Sequence, residues 1–119
     1  TRLLDLGREI DGLEDVREAA DLVLVDAPCS GSGTWRRNPE GRWRLTPPRL
    51  DRLVDEQSRL IDIASQLVRP GGALVYAVCS LIDREGSGQI ACFLDRQSHW
   101  CTDPLALPVG RVAGGGLIL

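Results

Sequence analysis

Two short apolar runs are the clearest pattern in this chain. Residues 22–25 read Leu-Val-Leu-Val, and residues 73–78 read Ala-Leu-Val-Tyr-Ala-Val. Continuous runs rich in valine are typical of parallel strands that are buried on both faces. We therefore predict two such strands, one over each run.

A helix is predicted between the two strands. Apolar residues recur at helical spacing from residue 50 to residue 68 and give this segment one apolar face. Thr46 is a suitable N-cap, and Pro47 suits the first helical position. Residues 69–72 read Arg-Pro-Gly-Gly, which ends a helix before the next strand begins.

Weaker patterns surround this unit. Residues 2–5 indicate a first strand, residues 13–20 a weak helix, residues 83–95 a helix with Ile90, Phe93 and Leu94 inward, and residues 116–119 a closing strand. Residues 27–46 form a long loop, and loops of this length inside a domain are usually functional or disordered. The order of elements predicts an α/β fold with a mainly parallel sheet and right-handed crossovers.

Length and composition limit the classes of protein to which this chain can belong. The chain has 119 residues, a net charge of −3, no methionine and fourteen basic residues that are all arginine. This length suits one small domain, and both ends lie in apolar runs, so we expect a fragment of a larger protein. Four cysteines without a Cys-x-x-Cys pair, and a single histidine, favour a reducing, cytoplasmic setting without a zinc site. No apolar run is long enough to span a membrane.

Cysteines follow both central strands, and they are the candidate reactive groups. The first strand runs into Asp26-Ala-Pro-Cys29-Ser-Gly-Ser-Gly, and the second into Tyr76-Ala-Val-Cys79-Ser. The carboxyl ends of parallel strands are where ligands bind in open α/β sheets. Cysteine is also a suitable nucleophile for an electron-poor ring carbon. Cys92 and Cys101 have no such context, and we expect them only to pack.

The long loop adds a possible nucleic-acid surface to an acidic chain. It contains two tryptophans and four arginines with a single glutamate among them, at positions Trp35, Arg36, Arg37, Glu40, Arg42, Trp43 and Arg44. Arginine with interleaved aromatic residues suits phosphate contacts combined with base stacking.

The stretch DAPCSGSGTWRRNPEGRW, followed by RPGGALVYAVCSL, resembles the Sun/NOP family of RNA cytosine-C5 methyltransferases. The resemblance covers residues 21–95. It implies a Rossmann-like class I fold that uses S-adenosylmethionine, of which residues 1–119 are the C-terminal half of the sheet within a single catalytic domain. The upstream cofactor-binding half and the C-terminal end are then expected to be missing, and the fragment alone to be inactive.

The resemblance also implies roles for individual residues. Cys79 matches the nucleophile of the family, Cys29 matches the cysteine that assists release of the product, and Asp26 matches the residue at the cytosine ring. Asp5 is expected at the adenine of the cofactor, with Asp26 also bordering the cofactor site. RNA, and ribosomal RNA in particular, is the expected partner, with Pro28, Trp35, Arg36 and Arg37 at its interface.

Two departures from the family pattern keep alternatives open. Val78 stands where the family usually has threonine, and residues 83–86 lack the usual Glu-Asn pairing. The alternatives are a methyltransferase of exocyclic amines, a DNA cytosine methyltransferase that would use Cys29 as its nucleophile, and an RNA-binding module without catalysis. An amine methyltransferase has no use for a second thiol, which favours the cytosine hypothesis.

Overall fold

The computed structural model describes residues 1, 3–4, 7–103, 108–113 and 116–118. A parallel pair of strands, β1 (Ala20–Asp26) and β2 (Val68–Ala77), forms its centre. The register pairs Leu22 with Ala73 and Asp26 with Ala77, so that both strands end at the same edge. An irregularity precedes this run, because Ala20 pairs with Val68 and residues 69–72 bulge out of the ladder. The parallel βαβ unit is confirmed, with β2 beginning five residues before the predicted strand.

Helix α2 (Pro47–Ser65) connects the two strands and packs against both of them. A short helix, α1 (Gly41–Arg44), precedes it. Thr46 has the extended backbone of an N-cap residue, and its carbonyl accepts hydrogen bonds from the N–H groups of Arg49 and Leu50. The predicted cap and the proline at N1 are therefore confirmed, although the Thr46 side chain makes no capping hydrogen bond and the helix ends at Ser65.

The core lies between α2, β2 and the following helix, α3 (Ser87–Arg96). Its buried apolar side chains are Ile61, Ala64, Val68 and Phe93, with Ala27 beside them. Burying a side chain of the size of Ile61 or Phe93 contributes about 1.5–3 kcal/mol. Phe93 also packs edge-on against Trp100, with ring centroids 5.6 Å apart.

Burial of the central strands on both faces is a prediction that proves wrong. Val23 and Val25 lie on the half-buried face of β1, whereas Leu22 and Leu24 on the other face are 60% and 64% exposed. Because neighbouring residues of a strand point to opposite faces, the apolar run supplies both a covered face and an uncovered one. No described element covers the face of Leu22 and Leu24.

The weaker predictions agree with the structure only in part. The predicted weak helix over residues 13–20 is only a 3₁₀ turn, Glu14–Val16, and Ala20 already belongs to β1. The predicted helix over residues 83–95 is a 3₁₀ turn, Asp83–Glu85, followed by α3. The predicted closing strand is β4 (Gly116–Ile118), which pairs antiparallel with an unpredicted strand, β3 (Arg111–Ala113), in a separate sheet. Of the predicted first strand, the structure describes only Leu3 and Leu4, which belong to no strand.

Candidate active site

The two candidate cysteines meet at the carboxyl edge of the β1–β2 pair. The Sγ atoms of Cys29 and Cys79 lie 3.4 Å apart, although the residues are fifty positions apart in sequence. Cys29 is half-buried and Cys79 is exposed, and both are free thiols. Sequence reasoning placed both residues at strand ends, and the fold brings their sulfur atoms into contact.

The glycine-rich turn after Cys29 fits closely against the backbone of Cys79. The N–H of Gly33 donates to the carbonyl of Cys79 at 3.1 Å, and a Cβ at position 33 would lie 3.2 Å from that oxygen. Gly31 has a φ of +67°, a backbone conformation that L side chains rarely adopt. These two glycines allow the loop that carries Cys29 (the Cys29 loop) to fold onto the loop that carries Cys79 (the Cys79 loop).

A fully buried carboxylate, Glu85, connects the two cysteine loops. Its Oε1 accepts from the Ser30 N–H at 2.8 Å, and its Oε2 accepts from the Ser80 hydroxyl at 2.6 Å and from the Ser30 hydroxyl. The Gln57 amide on α2 donates to Oε1 at 3.0 Å and to the carbonyl of Pro28 at 2.8 Å. We call Glu85, Ser30, Ser80 and Gln57 the Glu85 network.

The charge of Glu85 is stabilised by these donors. Burial alone would raise the pKa of its carboxyl, but the hydrogen bonds from Ser30, Ser80 and Gln57 outweigh that effect and lower the pKa below its usual value. Glu85 is therefore ionised at neutral pH. Sequence reasoning did not single it out, and the available signal was indirect: each candidate cysteine is followed by a serine.

The surroundings of Cys29 favour the protonated form of its thiol. Burial and the neighbouring Cys79 sulfur together raise the pKa of the Cys29 thiol, so Cys29 carries its proton at neutral pH. Burial, with the charges of Glu85 and Cys29, also raises the pKa of Tyr76, whose hydroxyl donates to the Glu85 carbonyl at 2.7 Å. A protonated thiol thus lies directly beside the exposed thiol of Cys79.

The carboxylate predicted to act on the ring lies at the same edge. Asp26 is the last residue of β1 and is exposed, and Pro28 is exposed two residues later. No hydrogen bond or ion pair to the Asp26 carboxylate occurs within the described part of the chain. Asp5, the other predicted cofactor residue, lies outside the described residues.

The basic segment (residues 35–44) presents free cations to solvent. Six arginines elsewhere in the described chain form ion pairs with carboxylates: Arg8, Arg17, Arg59, Arg69, Arg84 and Arg96. The four arginines of the basic segment are exposed and form no ion pair with any described carboxylate. Their positive charge is therefore not neutralised within the described chain.

The two tryptophans of the basic segment differ in their surroundings. Trp35 is half-buried, its indole N–H is buried without a hydrogen-bond partner, and its ring approaches Gly41. Trp43 is 76% exposed, with the Arg42 guanidinium 4.6 Å from its ring centroid. Trp43 thus offers the open aromatic face, whereas Trp35 packs within the loop.

The remaining candidate groups contribute little. Cys92 and Cys101 are exposed, so the expectation that they pack is wrong. Among the described residues, no group of three or more His, Cys, Asp and Glu side chains is placed to hold a metal ion. Nor does any helix in the described ranges have the length and apolar character needed to cross a membrane.

The architecture matches a solved structure. The crystal structure of PH0851 superposes on this chain with a TM-score of 0.76 and 39% sequence identity, over 83% of this chain and 23% of that one. A parallel strand pair with a crossover helix is part of a Rossmann-like α/β methyltransferase fold. This is the predicted fold class, present in part.

The sequence comparison identifies the family. The family described as 16S rRNA methyltransferase RsmB/F matches residues 6–114, and the chain belongs to this family. The predicted resemblance to the Sun/NOP methyltransferases is thereby confirmed.

Curated relatives agree with the family assignment. The chain is 41% identical to ribosomal RNA small subunit methyltransferase B of Thermus thermophilus, over 91% of this chain and 27% of that protein. The protein of the same name from Xanthomonas campestris is 41% identical over 81% of this chain and 22% of its own length. The chain therefore spans about a quarter of the length of these relatives.

Proposed function

We propose that this chain is part of the catalytic domain of an S-adenosylmethionine-dependent methyltransferase that modifies carbon 5 of a cytosine in ribosomal RNA. The observation that carries the proposal is the contact between the Cys29 and Cys79 thiols at the carboxyl edge of two parallel strands. The names of the curated relatives support ribosomal RNA as the substrate.

Cys79 is the nucleophile in this proposal. Carbon 5 of cytosine is too weak a nucleophile to accept a methyl group unaided. Addition of the Cys79 thiolate to carbon 6 converts the ring into an enamine, whose carbon 5 would take the methyl group as the bond between that methyl and the sulfonium sulfur of the donor breaks. Exposure of Cys79 at the strand end supports this role, because the thiol is accessible to a base that has left its stack.

Cys29 completes the reaction as the partner thiol. After methyl transfer, carbon 5 loses its proton to a base, the bond between Cys79 and carbon 6 breaks, and Cys79 leaves as a thiolate. A protonated Cys29 at 3.4 Å can donate its S–H to that leaving sulfur. The raised pKa of Cys29 therefore supports its assignment to release rather than attack.

Asp26 fits both the target ring and the methyl donor. Its exposed carboxylate can accept a hydrogen bond from the amino edge of cytosine, or from an N–H of the donor molecule. S-adenosylmethionine supplies an electrophilic methyl group when it is bound. We propose that Asp5 and residues outside this chain complete the cofactor site, so activity is to be tested on the complete methyltransferase that contains this segment.

The basic segment is proposed to bind the RNA strand. Arg36 and Arg37, which form no ion pair with any described carboxylate, are suited to phosphate contacts, and an exposed tryptophan is suited to stacking on an unpaired base. The open face of Trp43 makes it a better stacking residue than Trp35. Pro28 lies beside Cys29, where it would border the target base.

The alternatives explain the site less well. Methylation of an exocyclic amine needs no thiol, and the paired sulfur atoms would then have no chemical role. A mechanism of the DNA cytosine type would place the attack on Cys29, which is the less exposed thiol and has the raised pKa. A non-catalytic RNA-binding module would leave the contact between the thiols unused.

Single cysteine variants of the complete enzyme test the proposal. With RNA and S-adenosylmethionine, Cys79→Ser should abolish both methyl transfer and the covalent protein–RNA adduct. Cys29→Ala should still form the adduct but release it slowly, so that a shifted band accumulates on a denaturing gel. Cys92→Ser is the matched control, since that exposed cysteine lies outside the site. Full activity in Cys79→Ser would refute the assignment.

A further inference from the structure

We infer that Glu85 is a positioning residue that holds the two cysteine loops at their working separation, an inference that rests on the proposed roles of Cys29 and Cys79. The Glu85 carboxylate makes no hydrogen bond to either thiol in the described structure. It instead binds the residue that immediately follows each cysteine, Ser30 and Ser80. Through these neighbours it sets the distance between the two sulfur atoms.

The geometry of the carboxylate suits this task. Oε2 accepts from a hydroxyl on each loop, so one atom joins the Cys29 loop to the Cys79 loop. Oε1 accepts one hydrogen bond from the Ser30 backbone N–H and another from the Gln57 side-chain amide. Hydrogen bonds to an ionised carboxylate are about twice as strong as those between neutral groups. The buried carboxylate thus adds charge-assisted hydrogen bonds to the direct contacts between the loops.

Hydrogen bonds of the serine hydroxyls also join the two cysteine loops. The Ser80 hydroxyl lies 3.1 Å from that of Ser32, and the Ser32 hydroxyl accepts from the Leu81 N–H at 2.8 Å. Ser80 also accepts from the Ile82 N–H at 3.1 Å. The hydroxyls of Ser30 and Ser80 also lie 3.2 Å apart. Removing the carboxylate would leave these hydroxyl contacts and the backbone hydrogen bond from Gly33 to Cys79 as the links between the loops, so the two sulfur atoms would be held less firmly.

The contact between the thiols can be measured directly on this chain. Oxidised glutathione accepts two electrons and two protons from the Cys29 and Cys79 thiols and yields a disulfide with two reduced glutathione molecules. The reaction first forms a mixed disulfide between one cysteine and glutathione. The rate of closure, in which the second thiol displaces that glutathione, reports how often the two sulfur atoms meet. Replacing the exposed Cys92 and Cys101 with serine leaves one possible intramolecular pair, which mass spectrometry of peptides quantifies.

Glu85→Ala should slow disulfide closure at least about tenfold in protein that circular dichroism shows to be folded, since displacements near 1 Å have large effects on proximity. Glu85→Gln keeps the shape and one acceptor oxygen, and should recover most of the rate. The matched control is Glu9→Ala, because Glu9 is a second buried carboxylate that pairs with Arg59 on α2 and forms no described hydrogen bond or ion pair with either cysteine or its neighbouring serine. Its closure rate should be unchanged.

If Glu85→Ala does not fold, Ser80→Ala serves instead, since it removes the link to the Cys79 loop and leaves Glu85 in place. In the complete enzyme, both Glu85→Ala and Ser80→Ala should lower kcat with little change in KM for RNA. Wild-type closure rates in folded Glu85→Ala and Ser80→Ala would overturn the inference. Normal methylation by Cys79→Ser would instead overturn the proposed function and leave the measured loop geometry standing.

Discussion

Substituting Gln57 with glutamate tests the electrostatics of the site. The Gln57 side chain is fully buried, and its amide nitrogen donates to the Pro28 carbonyl at 2.8 Å and to Glu85 Oε1 at 3.0 Å. A glutamate has nearly the same shape but no hydrogen to donate when ionised. Gln57→Glu therefore places a second carboxylate about 3 Å from the first one, at a position where both side chains are fully buried.

The magnitude follows from the like charges. Because two buried carboxylates in contact cannot both ionise, the pKa of the introduced group should rise by roughly two to three units. At about 1.4 kcal/mol per unit, the loss of unfolding free energy at pH 7 is about 3–4 kcal/mol. A folded pKa above the unfolded value means that this penalty is absent below about pH 4.3 and grows as the pH rises to the folded pKa.

Urea unfolding of the 119-residue chain between pH 4.5 and pH 8 measures this penalty. Gln66→Glu is the control, because Gln66 directly follows α2 and its Oε1 accepts from Arg17 at 2.6 Å. A carboxylate there pairs with a cation, and the stability should change by less than about 1 kcal/mol. A Gln57→Glu penalty that is small, or that does not vary with pH, would refute the reasoning.

Three further predictions concern RNA binding and acid stability. Trp43→Ala should weaken binding of the complete enzyme to single-stranded RNA by about 1–3 kcal/mol, measured by fluorescence anisotropy. Trp35→Ala should mainly lower the melting temperature of the protein. Equal losses of RNA affinity in the two variants would contradict the stacking role of Trp43. Arg36→Gln should reduce the slope of log affinity against log salt by about 0.7, and Arg84→Gln, whose arginine pairs with Asp51, should leave it unchanged. Because the pKa of Glu85 is lowered, its contribution to stability is present above about pH 4.5 and is lost as the pH falls through the folded pKa. In Glu85→Gln, the free energy of unfolding should therefore depend less on pH in this acid range than in the wild type.

The strand-end thiols could be predicted because local pattern and topology agree there. Continuous apolar runs define β1 and β2, and a connecting helix makes the pair parallel, which brings Cys29 and Cys79 to one edge. The exposed face of Leu22 and Leu24 could not be predicted in the same way. A continuous apolar run indicates that both faces suit burial, but whether an element covers each face depends on tertiary packing.

Glu85 shows what sequence pattern alone does not reveal. It lies in the charged run Asp83-Arg84-Glu85, at the start of the helix predicted over residues 83–95, and charged side chains are mostly exposed. Its neighbours Asp83 and Arg84 are indeed exposed, whereas Glu85 is fully buried. In addition to the nearby Ser80, the buried carboxylate depends on hydrogen bonds from Ser30, fifty-five residues earlier, and from Gln57 on α2. Such long-range hydrogen bonds have no local signal.

The most direct test of the account is to trap the covalent intermediate on a named cysteine. RNA that contains 5-fluorocytidine allows thiol addition and methyl transfer but blocks the final elimination, because no proton remains on carbon 5 to be removed. The complete enzyme with S-adenosylmethionine should then form a stable adduct, and peptide mass spectrometry should locate it on Cys79. An adduct on Cys29, or methylation of ordinary RNA without any trapped adduct, would contradict the account.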